Sequence, residues 1–240
     1  MNTIKGIKMI DAKFYLQDLS NMDLENRFIQ FPEHDQIILF TRHTMYFGNH
    51  YPTEGLSYET YVCVPGYKVA LAHMTDIFKT TASAAHELGH SLGAVHDGEE
   101  NAKACKAEDG FIMTPLMATF NPFKPYSKNS WLFSRCSVEA FKKTLANKDC
   151  VTRKPHYTQD ELDELNSYTF NLPGQMYTPS MQCELIVGRG SIYCGALSRR
   201  ICNLMTCTDP KTSECINEYF SAAPGTPCGQ NMVHTAVFQS

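Results

Sequence analysis

The chain has 240 residues, 43% of them hydrophobic, which is enough for one sizeable core plus a second, smaller unit. Its 21 basic and 25 acidic residues give a formal charge of -4 with no block of like charge, so no electrostatic case exists for nucleic acid or an anionic membrane as partner. No stretch approaches the length of a transmembrane helix.

Residues 1–14 mix Lys5, Lys8, Asp11 and Lys13 with Ile4, Ile7 and Ile10. That is ordinary domain sequence rather than a basic start followed by an apolar export core. The expectation is that the sequence starts inside a longer precursor or that export uses another route. Residues 6–15 read as a strand and 16–31 as a polar, weakly helical stretch ending at Pro32. The run QIILFT at 36–41 reads as a buried strand. Residues 61–74 hold two apolar runs broken by Pro65-Gly66, which suits a hairpin or an irregular edge strand.

From 80 to 92 the pattern turns helical, with Thr80 or Thr81 as N-cap and Ala82, Ala84 and Ala85 favouring the helix, which Gly93 ends. Ser137 is the expected cap of a further helix, where Val138, Phe141 and Leu145 recur at helical spacing. Residues 151–182 lack apolar periodicity and carry an acidic patch at 160–164, so they read as a connector wrapped on the surface.

Cysteines are unevenly placed. Cys63, Cys105, Cys136 and Cys150 are spread widely, whereas Cys183, Cys194, Cys202, Cys207, Cys215 and Cys228 crowd the remainder. Such crowding indicates a disulfide-stapled module with little regular structure, in an oxidising, extracellular compartment. A second zinc site is disfavoured, because no Cys-x-x-Cys pair occurs.

The most informative segment is His86-Glu-Leu-Gly-His90-Ser-Leu-Gly-Ala-Val-His96-Asp97. Residues four apart share a helix face, so His86 and His90 can aim two imidazoles at one ion, with Glu87 beside the same metal. His96 lies six positions beyond His90 and cannot reach that ion from a straight helix. Gly93 supplies the left-handed residue at which the chain turns back. Three protein ligands leave a fourth position for water, the arrangement of a catalytic zinc site. Zinc lowers the pKa of its water towards about 7 and polarises a carbonyl, while Glu87 accepts the water proton and passes it to the leaving amine. Three of nine histidines within eleven residues, with a Glu and a Gly at the useful places, is too restrictive for chance. His34, His43, His50, His73, His156 and His234 form no cluster and read as structural.

This extended pattern resembles the metzincins, and Asp97 directly after the third His resembles their reprolysin (adamalysin) branch, which includes the ADAM and ADAMTS proteases. Phe111-Ile112-Met113-Thr114-Pro115 looks like the family's methionine turn, which makes Met113 the matching methionine. Phe133-Ser-Arg-Cys136-Ser resembles the opening of the last catalytic-domain helix. Leu172-Pro-Gly-Gln-Met-Tyr177, Gln182-Cys183 and Pro224-Gly-Thr-Pro-Cys228-Gly229 look like the ADAMTS disintegrin-like module.

The resemblance implies an α/β metzincin (zincin-like) catalytic domain at 1–150, a linker at 151–182 and a cysteine-rich module at 183–240, with the first and last incomplete. It implies a twisted, mostly parallel sheet with an antiparallel edge strand near 61–74, along which an extended substrate lies. It further implies the disulfides Cys63–Cys150, Cys105–Cys136, Cys183–Cys207 and Cys194–Cys215. Cys202 and Cys228 either pair with each other or stay free. A calcium site like the family's would use Asp35 and the carbonyl of Cys150, but Arg153 stands where an amide ligand is usual. Leu116, Met117 and Ala118 are candidates for a specificity-pocket wall or for core packing.

The implied function is a secreted zinc metalloendopeptidase acting on protein substrates, extracellular matrix or cell-surface proteins among them. The alternatives are a catalytically incompetent secreted binding protein acting through the cysteine-rich module, and a protein whose zinc is purely structural.

Overall fold

The computed structural model describes residues 2–4, 7–25, 30–49, 51–75, 77–115, 128–152, 157–169, 171–195, 201, 204–229 and 232–233. The chain divides into two compact units, Met1–Ala107 with Phe133–Arg153, and Glu108–Leu132 with Lys154–Ser240.

In the first unit, strands β1 (Asn2–Ile4), β2 (Ile7–Asp11), β4 (Met45–Phe47) and β5 (Tyr51–Thr53) form one small sheet in the order β1-β2-β4-β5. Only the β2–β4 pair is parallel there. The expected strand over 6–15 stops at Asp11 because its Oδ1 accepts from the amides of Lys13, at 3.0 Å, and Phe14, at 3.3 Å. That is helix capping. It starts helix α1 (Ala12–Glu25), whose Ala12, Leu16, Leu19 and Ser20 are buried at helical spacing. The weak helix expected from 16 thus begins earlier.

A second sheet carries the candidate site. Strand β3 (Ile37–Thr41) pairs in parallel with β7 (Val69–His73), which pairs antiparallel with β6 (Gly55–Ser57). In place of a single mostly parallel sheet there are two small mixed ones. The edge position expected near 61–74 falls instead to β6, while β7 is central. Val69 to Ala72 are all buried, as a strand covered on both faces requires. Residues 61–68 form turns, where the amide of Gly66, at φ +78, donates to Asp23 Oδ2 at 2.6 Å and its carbonyl accepts from the Ser20 hydroxyl. Val69 and Leu71 pack with Ile10, Leu16, Leu19 and Met45 in one core.

Helix α2 (Ile77–Ser91) begins before the threonines expected to cap it. Thr81 donates to the Ile77 carbonyl at 2.7 Å, so its hydroxyl serves the helix interior. Helix α3 (Arg135–Leu145) is capped by Ser134, not Ser137, because Ser134 Oγ accepts from the Ser137 amide. On that helix Val138 is exposed, while Phe141 and Leu145 are half-buried. Two disulfides, Cys63–Cys150 and Cys105–Cys136, bind the unit.

The second unit is more regular than expected. Helices α4 (Gln159–Thr169), α5 (Pro173–Met176) and α6 (Pro179–Val187) occupy much of the stretch read as connector. Every described side chain of α4 is exposed. Strands β8 (Met205–Thr208) and β9 (Cys215–Phe220) pair antiparallel, as do β10 (Pro227–Gly229) and β11 (Met232–Val233). The bridges Cys183–Cys207 and Cys194–Cys215 form as the resemblance implies. Cys228 is disulfide-bonded as well. Cys202 lies outside the described residues. Cys183, Cys207 and Cys228 share a core with Ile201, Met205 and Ala222. Among the described residues no helix is long and apolar enough to cross a membrane.

Candidate metal centre

The C-terminal half of α2 carries His86, Glu87 and His90, and the helix ends in a compact turn. The Gly93 amide donates to the His90 carbonyl at 2.8 Å and the Ala94 amide to the Gly89 carbonyl at 2.9 Å. This pair of bonds closes a helix around a left-handed residue, and Gly93 has φ +98. A Cβ on Gly93 would strike the Thr144 hydroxyl on α3. Glycine is therefore required twice over, by backbone angle and by space.

The turn brings His96 back to the helix. One ring nitrogen from each of His86, His90 and His96 lies within 4.8 Å of the others. His86 Nε2 and His96 Nε2 are 3.2 Å apart. Two nitrogens on a tetrahedral zinc, each at about 2.0–2.1 Å, lie about 3.3 Å apart, so this spacing fits a shared ion. The opposite ring nitrogens are held as well. His90 Nδ1 donates to the Ala94 carbonyl at 2.8 Å, which leaves Nε2 with its lone pair outward. His96 Nδ1 is 3.3 Å from Glu99 Oε2. Burial pushes the His90 imidazole down to about 4, against the Ala94 bond, which favours its charged form. It is thus neutral at neutral pH, as a ligand must be.

Glu87 is 6% exposed. Its Oε2 accepts from Ser57 Oγ at 2.9 Å, and the same hydroxyl lies 3.0 Å from the Glu87 carbonyl. Burial pushes the Glu87 carboxyl up to about 8, with the Ser57 bond pulling the other way. A divalent cation at the adjacent imidazoles would favour the ionised form and reverse part of that rise.

Asp97, 1% exposed, accepts from Ser134 Oγ at 2.6 Å. The residue after the third histidine is thereby tied to the N-terminus of α3, where negative charge is favourable. Cys105–Cys136 fastens the same helix start. Met113 is fully buried at a turn in which the Thr114 amide donates to the Phe111 carbonyl at 3.0 Å, in the segment grouped with the second unit. Leu116, Met117, Ala118 and Arg153 lie outside the described residues. Asp35 lies with Cys63 and Cys150, but both sulfurs are in one disulfide, so of these three side chains only Asp35 is available to a cation.

Sequence reasoning missed Gly55, Ser57 and Ser134. Ser57 approaches Glu87 across 30 positions of sequence, for which no local pattern exists. Ser134 could have been found, since Ser134 and Ser137 both stand at cap spacing before the α3 pattern.

A helix-turn arrangement that converges three imidazoles beside a buried carboxylate defines a candidate zinc hydrolase centre. The chain belongs to the reprolysin (M12B) family of zinc metalloproteases, whose model matches residues 9–155. A second model, ADAMTS cysteine-rich domain 2, matches residues 173–234. A Bombyx mori protein described as a disintegrin and metalloproteinase with thrombospondin motifs like is 34% identical over 194 residues, covering 74% of this chain and 25% of its own length. The human disintegrin and metalloproteinase with thrombospondin motifs 20 is 28% identical over 204 residues, 83% of this chain and 10% of its own length. The mouse protein with thrombospondin motifs 18 is 34% identical over 151 residues, 62% of this chain and 11% of its length. The chain thus spans a quarter or less of these relatives.

Proposed function

We propose that this chain is the peptidase part of a secreted zinc metalloendopeptidase that cleaves extracellular proteins. In this reading residues 1–150 form the catalytic domain, 151–182 a linker and 183–240 a disintegrin-like cysteine-rich module. His86, His90 and His96 hold the zinc and Glu87 moves the proton. The observation that carries the reading is the convergence of the three imidazoles, with the 3.2 Å spacing of His86 and His96, next to a clasped, buried Glu87.

Zinc, when bound, supplies Lewis acidity to the scissile carbonyl and to the attacking water. Glu87 takes the proton from that water on its carboxylate and returns it to the departing amine, acting as base and then as acid in one turnover. Glu99 and the Ala94 carbonyl orient His96 and His90, so that the ligand nitrogens need no reorganisation. Strand β6 is at one end of its three-stranded sheet, and its outer edge suits an extended peptide bound by main-chain hydrogen bonds. Calcium at Asp35 would have one side-chain carboxylate to support it.

The test is peptide cleavage by the zinc-loaded chain and its Glu87→Ala variant. Turnover falls by about a thousandfold or more in the variant while zinc content is retained. Equal turnover would sink the assignment of Glu87. Absence of cleavage by the parent chain, with zinc bound, would favour the binding-protein alternative.

A further inference from the structure

We propose that Ser57 is a positioning residue for Glu87, fixing its carboxylate against β6 in the conformation from which it handles the proton. This rests on the reading of Glu87 given above.

On β6, residues 55 and 57 alternate onto the same face, and that face meets α2. At Gly55 the space a Cβ would fill is taken by the Glu87 side chain, with Cγ at 2.5 Å and Cδ at 2.7 Å from the ideal Cβ position and Oε1 closer still. One edge of the carboxylate is therefore held by close approach to bare backbone. The other edge, Oε2, accepts the Ser57 hydroxyl at 2.9 Å. Because Ser57 Oγ also lies 3.0 Å from the Glu87 main-chain oxygen, a single hydroxyl spans the residue from backbone to carboxylate. A free Glu side chain has three torsions, and ordering it carries a rotamer-entropy cost approaching about 2 kcal/mol. Glu87 has that cost met before any substrate arrives, which is what pre-organisation of a proton carrier requires. Residues 55 and 57 act as a pair, since neither the packing nor the hydrogen bond alone determines both oxygens.

A purely structural role would make Ser57 a strand-to-helix tie through the Glu87 carbonyl. Its loss would lower stability and leave the carboxylate as it was. Three measurements on the full chain separate the two, using Ser57→Ala and the hydroxyl-retaining Ser57→Thr.

In the zinc-loaded protein, Ser57→Ala lowers kcat by about tenfold with KM little changed, the size of one charge-assisted hydrogen bond after partial compensation. The same variant weakens a hydroxamate inhibitor, whose hydroxyl shares its proton with the carboxylate, and spares a thiol inhibitor that contacts only metal. In the metal-free protein, the 13C resonance of the Glu87 carboxyl, assigned by its loss in Glu87→Gln, shifts and broadens in Ser57→Ala. Ser57→Thr restores all three. An unmoved Glu87 resonance in Ser57→Ala overturns the clasp. Equal loss of hydroxamate and thiol affinity overturns it in favour of the structural tie. Full turnover in Glu87→Ala overturns instead the reading of Glu87, and with it the catalytic consequence proposed for Ser57.

Discussion

The two units are held together differently. Around the candidate centre the buried side chains include the polar His86, Glu87, His90, Asp97, Ser134 and Ser137, and Glu87, His90, Asp97 and Ser134 are each held by a named side-chain hydrogen bond. In the cysteine-rich unit a handful of apolar residues pack directly with Cys183, Cys207 and Cys228, and the buried polar Gln182 and Thr226 bond to each other beside them. The first arrangement places polar groups accurately and relies on a separate apolar core for stability. Both units carry bridges, but the second packs its small apolar cluster around bridged cysteines themselves, so its stability rests more directly on them. Damage to a cross-link should therefore appear as lost stability in the second unit, and damage to a turn or bond should appear as lost ligation in the first.

The largest expected effect comes from the cross-links. Replacing Cys183 and Cys207 by Ser removes a bridge spanning 24 residues. Chain-entropy arguments put that loss at about 3 kcal/mol, to which two newly buried hydroxyls add. Hydrogen exchange on the full chain should show β8 and α6 losing protection while zinc still binds at the three histidines. Loss of zinc binding together with that protection would show that the two regions are not distinguishable in this way.

Gly93→Ala reverses the pattern. A left-handed alanine carries about 1–2 kcal/mol of strain, and its Cβ also meets Thr144, so a cost near 2–3 kcal/mol is expected. Because His96 lies just past the turn, zinc affinity should fall by far more than the melting temperature suggests. Competitive zinc titration checks this.

The pH response tests whether Glu87 is as buried as the geometry indicates. Its carboxyl is raised from an ordinary 4.5 to about 8. A raised carboxyl favours the protonated, folded form, so its stabilising contribution is complete below about pH 4.5 and is lost as pH rises towards 8. In the metal-free protein, Glu87→Gln should therefore gain stability relative to the parent across that window, on the order of 2 kcal/mol. His90 opposes this at the acid end. Its folded value near 4 lies below the ordinary 6.5, so the stability it contributes is present above 6.5 and lost as pH falls through 4. Urea melts at a series of pH values separate the two limbs, and zinc should flatten both.

What the sequence made legible follows the range of the interactions. His86, His90, Gly93 and His96 form one continuous segment, and the turn they need is set by helical spacing and one glycine, so their convergence could be read directly. The four bridges came through family resemblance rather than spacing. Boundaries fared worse where a hydroxyl had two uses: Thr81 bonds backward into α2, and Ser134 caps α3 three residues before the expected Ser137. Asp11 turned an expected strand into a helix start by accepting two amides. Ser57 and Gly55 were invisible because their partner is a helix 30 positions away, brought near only once β6 pairs with β7. The exchange of edge and centre between β6 and β7 has the same origin, since a three-residue strand carries almost no pattern of its own.

The smallest predicted effect concerns how the end of α2 is finished. Beyond the Gly93 amide that the His90 carbonyl already accepts, the loop after β6 supplies the last carbonyls with further partners: the Thr60 amide donates to the His90 carbonyl at 3.0 Å and the Val62 amide to the Ser91 carbonyl at 3.1 Å. To present that amide, Thr60 adopts φ +69, an unfavourable angle for a β-branched residue. Thr60→Gly should relieve about 1–2 kcal/mol of strain and give back part of it through the freer unfolded chain, for a net gain of about 0.5–1 kcal/mol. Thr60→Ala keeps the left-handed angle and loses only the branching, so it should gain less. Zinc affinity should be unchanged in both, because the carbonyl of His90 is satisfied either way while its imidazole is oriented by Ala94. If Thr60→Gly instead loosened zinc, the loop would be setting the pitch of the ligand helix rather than merely closing it. The local turn at Gly93 would then be insufficient to place the third histidine.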